Sequence, residues 1–276
     1  MNAFDIEKAC DWLQSADALV VAAGAGMGVD SGLPDFRGNE GFWKAYPALA
    51  KAKMDFTRIA NPAAFHHHPE LAWGFYGHRL NLYRQTVPHA GFELLRQWGE
   101  KKPLGLGVFT SNVDGQFQRA GFSDGPIHEC HGSIHHLQCL EPCCDDIWPA
   151  DDFVPVIDDE QCRLLNTPPH CPRCGGLARP NILMFGDWGW LSDRSARQEK
   201  TLDNWLWEAT NPVVIELGAG TAIPSVRHFS QRVERQFRGK LIRINPREWQ
   251  TEGPNAVGLA AGALEGLLRI FGTPID

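Results

Sequence analysis

The sequence predicts an α/β fold: a Rossmann-type, mostly parallel sheet with helices on both faces, plus a smaller inserted domain made of a helical module and a zinc ribbon. Three observations predict it. Short runs that are apolar throughout alternate with helix-length segments, which marks strands buried on both faces. The first such run ends in a glycine-rich loop, and a later proline-rich insertion carries two close pairs of cysteines. A chain of 276 residues can bury a core of that kind and still carry a satellite.

Taken in order, Ile6, Ala9, Cys10 and Leu13 recur at helical spacing and predict an opening helix. Ala18 to Ala23 is apolar at every position and predicts the first buried strand. The same reasoning predicts strands at Leu104 to Thr110, Ile127 to Cys130, Ile182 to Phe185, Val213 to Leu217 and Leu241 to Ile244. Two insertions interrupt the alternation. One, from about Gly41 to Arg84, is rich in aromatics and histidine at helical spacing; the other, from about His136 to Arg179, holds the cysteine pairs. The expected division is therefore 1–40, 85–135 and 180–276 for the sheet domain, with 41–84 and 136–179 forming the small domain.

Cys171-Pro-Arg-Cys174 is followed by two glycines, a spacing that lets both sulfurs turn onto one ion around a tight knuckle. Its partner pair is Cys139 with Cys143 or Cys144. Adjacent cysteines cannot easily face the same ion, so Cys139, Cys143, Cys171 and Cys174 are the expected ligands of a structural zinc. A closed four-thiolate site leaves no open coordination position, which places any chemistry elsewhere. The plainer alternative is a set of buried thiols, the reading that suits Cys10 and Cys130. Asp145, Asp146, Asp151, Asp152, Asp158, Asp159 and Glu160 make this module acidic, as a solvated face would be.

Composition narrows the function. A net charge of −7 and the lack of a long Lys/Arg run argue against nucleic acid as a partner. The first residues lack a basic stretch followed by an apolar one, and no apolar run reaches the roughly 18 residues of a membrane span. A soluble, cytoplasmic protein with no membrane partner is expected.

The loop after the first strand, Gly24-Ala25-Gly26-Met27-Gly28, lets backbone N–H groups approach a pyrophosphate, although Val29 stands where a dinucleotide fingerprint has its third glycine. Asp35-Phe36-Arg37 adds an unusual polar and aromatic cluster to the same loop. Asn112 and Asp114 follow an apolar strand at its carboxyl end, where ligands of open parallel sheets collect; a polar turn is the plainer alternative.

Gly24 to Arg37, Thr110-Ser-Asn-Val-Asp-Gly115, His131-Gly-Ser133, the paired cysteines, Phe185-Gly-Asp187 and Ile244-Asn245 occur in the order seen in sirtuins, the NAD-dependent protein deacylases, and the chain resembles that family over nearly its whole length. The resemblance implies a cleft between the two domains, entered by NAD and by an acylated protein lysine from opposite sides. It implies that Gly24, Ala25, Gly26, Asp35, Phe36, Arg37 and Gly218 line the NAD pocket, that Ser111, Asn112 and Asp114 serve the nicotinamide end, and that Asn245 approaches the adenosine half. His131 would be the general base, and Asn112 would share the catalytic site. In the sirtuin mechanism the acyl oxygen attacks the ribose carbon as nicotinamide leaves, and the imidazole helps deprotonate a ribose hydroxyl that attacks the resulting alkylimidate. An imidazole suits that step because its pKa lies near neutrality. His66, His67, His68, His135 and His136 read more plainly as surface or packing residues.

Phe185, Gly186 and Asp187 correspond to the segment that pairs with substrate peptide, with Asp187 in place of the commoner glutamate. Tyr76 and Arg79 are three apart on a predicted helix and resemble the Tyr-x-x-Arg pair of the desuccinylase and demalonylase branch, which favours acidic acyl groups (succinyl, malonyl) over acetyl. Ser111 stands where most sirtuins have glutamine, and Gly28 where they have serine; altered nicotinamide-site residues of this sort accompany ADP-ribosyl transfer or NAD hydrolysis in some sirtuin-like proteins. A non-catalytic NAD-sensing protein is a further alternative.

Overall fold

A computed structural model describes residues 3–35, 38–51, 53–122 and 126–272. Its strands are β1 (Ala18–Ala23), β2 (Leu106–Thr110), β3 (Ile127–Glu129), β4 (Gly132–Cys139), β5 (Ile147–Pro149), β6 (Ile157–Asp158), β7 (Arg163–Leu164), β8 (Ala178–Ile182), β9 (Pro212–Leu217), β10 (Lys240–Ile244) and β11 (Ala256–Leu259). Six of them form one sheet in the order β11-β10-β9-β1-β2-β3, and every neighbouring pair is parallel. Counted within that sheet alone, the order is that of the doubly wound dinucleotide-binding fold, which reverses direction between β1 and β9.

The helices are α1 (Ala3–Ser15), α2 (Gly38–Ala45), α3 (Pro47–Lys51), α4 (Phe56–Ile59), α5 (Pro62–His67), α6 (Pro69–Gln85), α7 (Ala90–Glu100), α8 (Gln116–Arg119), α9 (Asp193–Glu208), α10 (Ser225–Gln236) and α11 (Ala263–Phe271). Because side chains alternate across a strand, β1 serves two cores at once. Leu19, Val21 and Ala23 pack with Leu13 of α1, Phe92 and Leu95 of α7 and Leu267 of α11. Val20 and Ala22 pack on the other face with Leu202 and Leu206 of α9 and Val226 and Phe229 of α10. This double coverage is why the strand contains no polar residue.

The two insertions share a third apolar cluster, in which Phe65 of α5 and Trp73, Phe75, Tyr76 and Leu80 of α6 meet Ile134 and Leu137 of β4, Phe153 and Leu164. Gly74 makes that meeting close: a Cβ there would fall 2.0 Å from the Cys162 carbonyl oxygen. The ribbon is a three-stranded antiparallel sheet, β5-β4-β8, with a β6-β7 hairpin beside it.

One predicted strand moves. Ile182 to Phe185 was expected in the parallel sheet; instead β8 ends at Ile182 and pairs antiparallel with β4 in the ribbon. The pattern concealed β8 because Arg179 and Asn181 are fully buried in it, each held by distant partners. Among the described residues, no helix is long and apolar enough to cross a membrane.

Candidate functional site

At the point where the sheet order reverses, β1 runs into Gly24 and β9 into Gly218, and the two turns touch. The Gly24 amide donates to the Leu217 carbonyl at 2.9 Å and the Gly26 amide to the Gly218 carbonyl at 3.1 Å. A Cβ on Gly26 would lie 2.6 Å from the Gly218 Cα, and Gly218 itself sits at φ +59°, so only glycine fits the contact. A cavity of about 180 Å³ opens on these turns, lined by Gly26, Asp35, Gly218 and Arg247 among others. Such a cavity, at the carboxyl ends of β1 and β9 and with a cradle that any side chain would fill, suits the phosphates of a dinucleotide. Gly28 is less tightly confined: a Cβ there would lie 3.1–3.2 Å from the Leu33 side chain, which would have to give slightly.

The β2 loop closes over the glycine turn. The Ser111 amide donates to the Ala23 carbonyl at 3.1 Å, and Asn112 Nδ2 donates to the Gly24 carbonyl at 3.0 Å. Thr110 Oγ1 accepts from the Asn112 amide at 3.0 Å, which fixes the side chain from behind. His131, partly buried just after β3, follows Cys130, whose amide donates to the Thr110 carbonyl at 2.9 Å, and its Nε2 lies 3.4 Å from Ser225 Oγ. Burial pushes the imidazole below its ordinary pKa, partly offset by the nearby Ser111 backbone. It is neutral at pH 7 and able to accept a proton.

Asp114 is buried, and its Oδ1 accepts from the Gln116 amide at 2.9 Å. Burial pushes its carboxyl up to about 6; the Gln116 amide and Arg79 offset the rise and Glu129 adds to it. Asn245 is fully buried, donating Nδ2 to the Ala219 carbonyl at 2.9 Å and accepting from the Arg247 and Glu248 amides. It therefore shapes the Gly218–Ala219 turn from beneath. Ala25 opens the 3₁₀ turn Ala25–Met27, while Phe36 and Arg37 lie outside the described residues.

Tyr76 and Arg79 lie side by side on α6, and Arg79 is also bonded to a third residue. Arg79 is buried and donates Nε and Nη2 to Tyr83 Oη at 2.9 and 2.7 Å, while Tyr76 stacks on Phe65. The guanidinium carbon lies 5.2, 5.8 and 5.3 Å from the ring centroids of Phe75, Tyr76 and Tyr83, so three π-faces surround the charge. Tyr83 was not singled out from the sequence; its position one helical turn beyond Arg79 is the signal that could have found it.

Phe185 is partly exposed, but its amide donates to the Ala60 carbonyl at 2.9 Å. Gly186 takes φ +64° in a turn, and Asp187 points inward to a fully buried ion pair with Arg179 Nη2 at 2.8 Å. The Asp187 carboxylate also accepts from the Met184 and Gly189 amides, so it holds the 183–189 turn in shape.

The sulfurs of Cys139, Cys143, Cys171 and Cys174 all lie within 4.8 Å of one another, with Cys139–Cys174 and Cys143–Cys171 both at 3.6 Å. Zn–S bonds of about 2.3 Å in a tetrahedron require sulfurs about 3.8 Å apart, so the thiols fit zinc. Cys143 belongs to this group, and Cys144 stands beside it.

Residues 24–203 match the Sir2 family. An NAD-dependent protein deacylase of Aquifex aeolicus is 33% identical over 169 residues, 61% of this chain and 62% of the relative. An NAD-dependent protein deacetylase of Oceanobacillus iheyensis is 34% identical over 178 residues, 64% of this chain and 65% of the relative. The chain thus spans less than two thirds of the length of these relatives. The structure of a Sir2 homologue–NAD complex superposes with a TM-score of 0.66 at 25% identity, covering 96% of this chain and 92% of the other.

Proposed function

From the premise that the chain belongs to the Sir2 family, we propose that it removes acyl groups from protein lysine at the expense of NAD, releasing nicotinamide and O-acyl-ADP-ribose, with acidic acyl groups preferred over acetyl. One observation carries the reading: the loop from Thr110 to Asn112 is hydrogen-bonded to the Gly24 turn through Asn112 at one end and, through the Thr110 carbonyl, to the Cys130 amide next to His131 at the other. A dinucleotide cradle and a neutral imidazole therefore share a single rigid support. NAD, when bound, would supply an electrophilic ribose carbon. The Gly26 and Gly218 turns would receive its phosphates, with Asn112 and Asp114 toward the nicotinamide end and Asp35 on the cavity wall. His131 would take a proton at a ring nitrogen, Ser225 Oγ being the nearest side-chain hydroxyl to Nε2.

The domain division belongs to the same proposal and is supported by an apolar cluster drawn mainly from the insertions, joined by Leu33, Val113, Ile134, Ile182 and Met184 of the larger part. Supporting the acyl preference is a buried guanidinium on α6, joined through Tyr83 to the Asp114 loop by the Gln116 Nε2 bond to the Tyr83 carbonyl at 3.1 Å. An acyl carboxylate reaching that charge would gain a charge-assisted hydrogen bond. Phe185, Gly186 and Asp187 would form the peptide-facing turn, and the four thiols would hold zinc as a brace.

Purified protein with NAD and succinyl-, malonyl- or acetyl-lysine peptide should release free lysine and O-acyl-ADP-ribose. Nicotinamide release that ignores the acyl peptide would replace this reading with ADP-ribosyl transfer or NAD hydrolysis, and NAD binding without nicotinamide release would replace it with a sensor. Arg79→Met should lower succinyl-lysine turnover at least tenfold more than acetyl-lysine turnover, as the loss of a charged bond worth about 1.5–3 kcal/mol requires. Equal losses on both peptides would remove the acidic preference alone.

A further inference from the structure

A second cavity, of about 390 Å³, lies behind the β2 loop, bounded by the end of α6, α8, β4 and the start of α9. It shares no lining residue with the glycine-turn cavity. We propose that it is a binding site for a small oxyanion, a phosphate or a carboxylate, held by Arg119, Arg194 and His136.

Charge is the first argument. The chain carries a net charge of −7, yet this cavity gathers three guanidinium groups, Arg84, Arg119 and Arg194, beside the carboxyl groups of Asp114 and Asp151, with Glu129 paired to Arg194. Arg84 already donates both terminal nitrogens, to the Phe153 and Ala150 carbonyls, so it contributes field rather than bonds. Arg119, exposed at the end of α8, forms no ion pair among the described residues.

Unmet donors are the second. Arg194 Nη2 is held by Glu129 Oε2 at 2.5 Å, but its Nη1 is buried and has no hydrogen-bond partner. His136 Nδ1, on the same cavity wall, is also buried and without a partner. Burial, reinforced by Arg194, pushes the His136 imidazole down to about 4, so at neutral pH it offers a neutral ring that carries one proton. A buried donor left unmet costs about 1–3 kcal/mol, more when charged, and such groups in native proteins are normally answered by a partner. One oxyanion offers several acceptor oxygens and would meet a guanidinium N–H and an imidazole N–H together, with Arg119 closing the open side. The three proposed anion contacts, Arg119, Arg194 and His136, lie outside the deacylase reading, although Asp114 and Tyr83 on the same cavity wall belong to it.

The test is isothermal titration calorimetry on the full chain at constant ionic strength set by chloride, injecting inorganic phosphate and, separately, malonate. Saturable binding of at least one anion is expected. Binding of phosphate alone assigns the site to phosphate, binding of malonate alone assigns it to carboxylates, and binding of both shows that it reads oxyanion charge. Arg119→Gln, on an exposed side chain, should weaken binding at least tenfold while leaving NAD affinity unchanged. Arg194→Lys keeps a charge beside Glu129 but removes the Nη1 donor, and should weaken binding similarly. No saturable heat from either anion would mean a cavity that holds only water. Unchanged anion affinity in both variants would place the anion elsewhere, and either result overturns the proposal.

Discussion

His131 and Gly26 show how much of the chemistry rests on single positions. An imidazole whose pKa is lowered by burial keeps its lone pair at pH values where an exposed histidine has begun to protonate. Turnover on an acyl peptide should therefore hold as pH falls through about 6.5, the ordinary histidine value, and fail only below it. His131→Ala should remove that acid limb and lower turnover by about 10²–10⁴-fold, with NAD binding retained, as a pH–rate series and a binding titration would show. A variant that kept near-normal turnover would strip His131 of the base role. Gly26 is a test of shape rather than proton transfer. A methyl placed 2.6 Å from the Gly218 Cα must push two backbones apart. Gly26→Ala should cost about 1–3 kcal/mol in urea unfolding and weaken NAD binding together with it.

Among the elements, the ribbon is where a local choice between neighbours can be decided. Cys143 groups with the other three thiols and Cys144 does not, so Cys143→Ser should abolish bound zinc, measured by metal analysis, while Cys144→Ser should leave it stoichiometric. Equal zinc loss in the two variants would mean that the adjacent cysteines interchange as ligands. The elements also show what a sequence can disclose. β1 was legible end to end because Ala18 to Ala23 is buried on both faces, and apolar character alone then defines a strand. β8 was not, since Arg179 and Asn181 make its burial depend on Asp187 and Gln138, partners that only folding brings near. β11 escaped notice because Ala-Val-Gly-Leu is too short and too small to stand out as a run. In the site, the glycine turns and His131 were visible as motifs. The commitment of Arg79 to Tyr83, the inward turn of Asp187 and the unmet donors of Arg194 and His136 depend on burial, which residue type alone does not encode.

At the scale of the whole molecule, the apolar interior is divided, and the division sets what metal removal should do. The two clusters flanking the parallel sheet draw on α1, α7, α9, α10 and α11, whereas the third joins α5 and α6 to the ribbon strands. Helix and ribbon are further tied by Trp73 Nε1 donating to the Ala178 carbonyl at 3.1 Å and by Arg84 donating to the Ala150 and Phe153 carbonyls. Loss of zinc would release four thiols from one point, and the ribbon, with little regular structure beyond three strands and a hairpin, has few other constraints of that strength. The face of α6 that packs on it would then open, while β1 and β9 would keep both of their covering layers. Hydrogen exchange after treatment with a zinc chelator should show protection falling about tenfold or more across 132–182 and 69–85, with 18–23 and 212–217 unchanged. Because the Asp114 loop leans on α6 through Gln116 and Tyr83, turnover should fall along with that protection even though the four clustered thiols belong to the ribbon. Uniform loss of protection across all six parallel strands would show instead that the protein unfolds as one unit and that the metal braces the sheet as well as the ribbon.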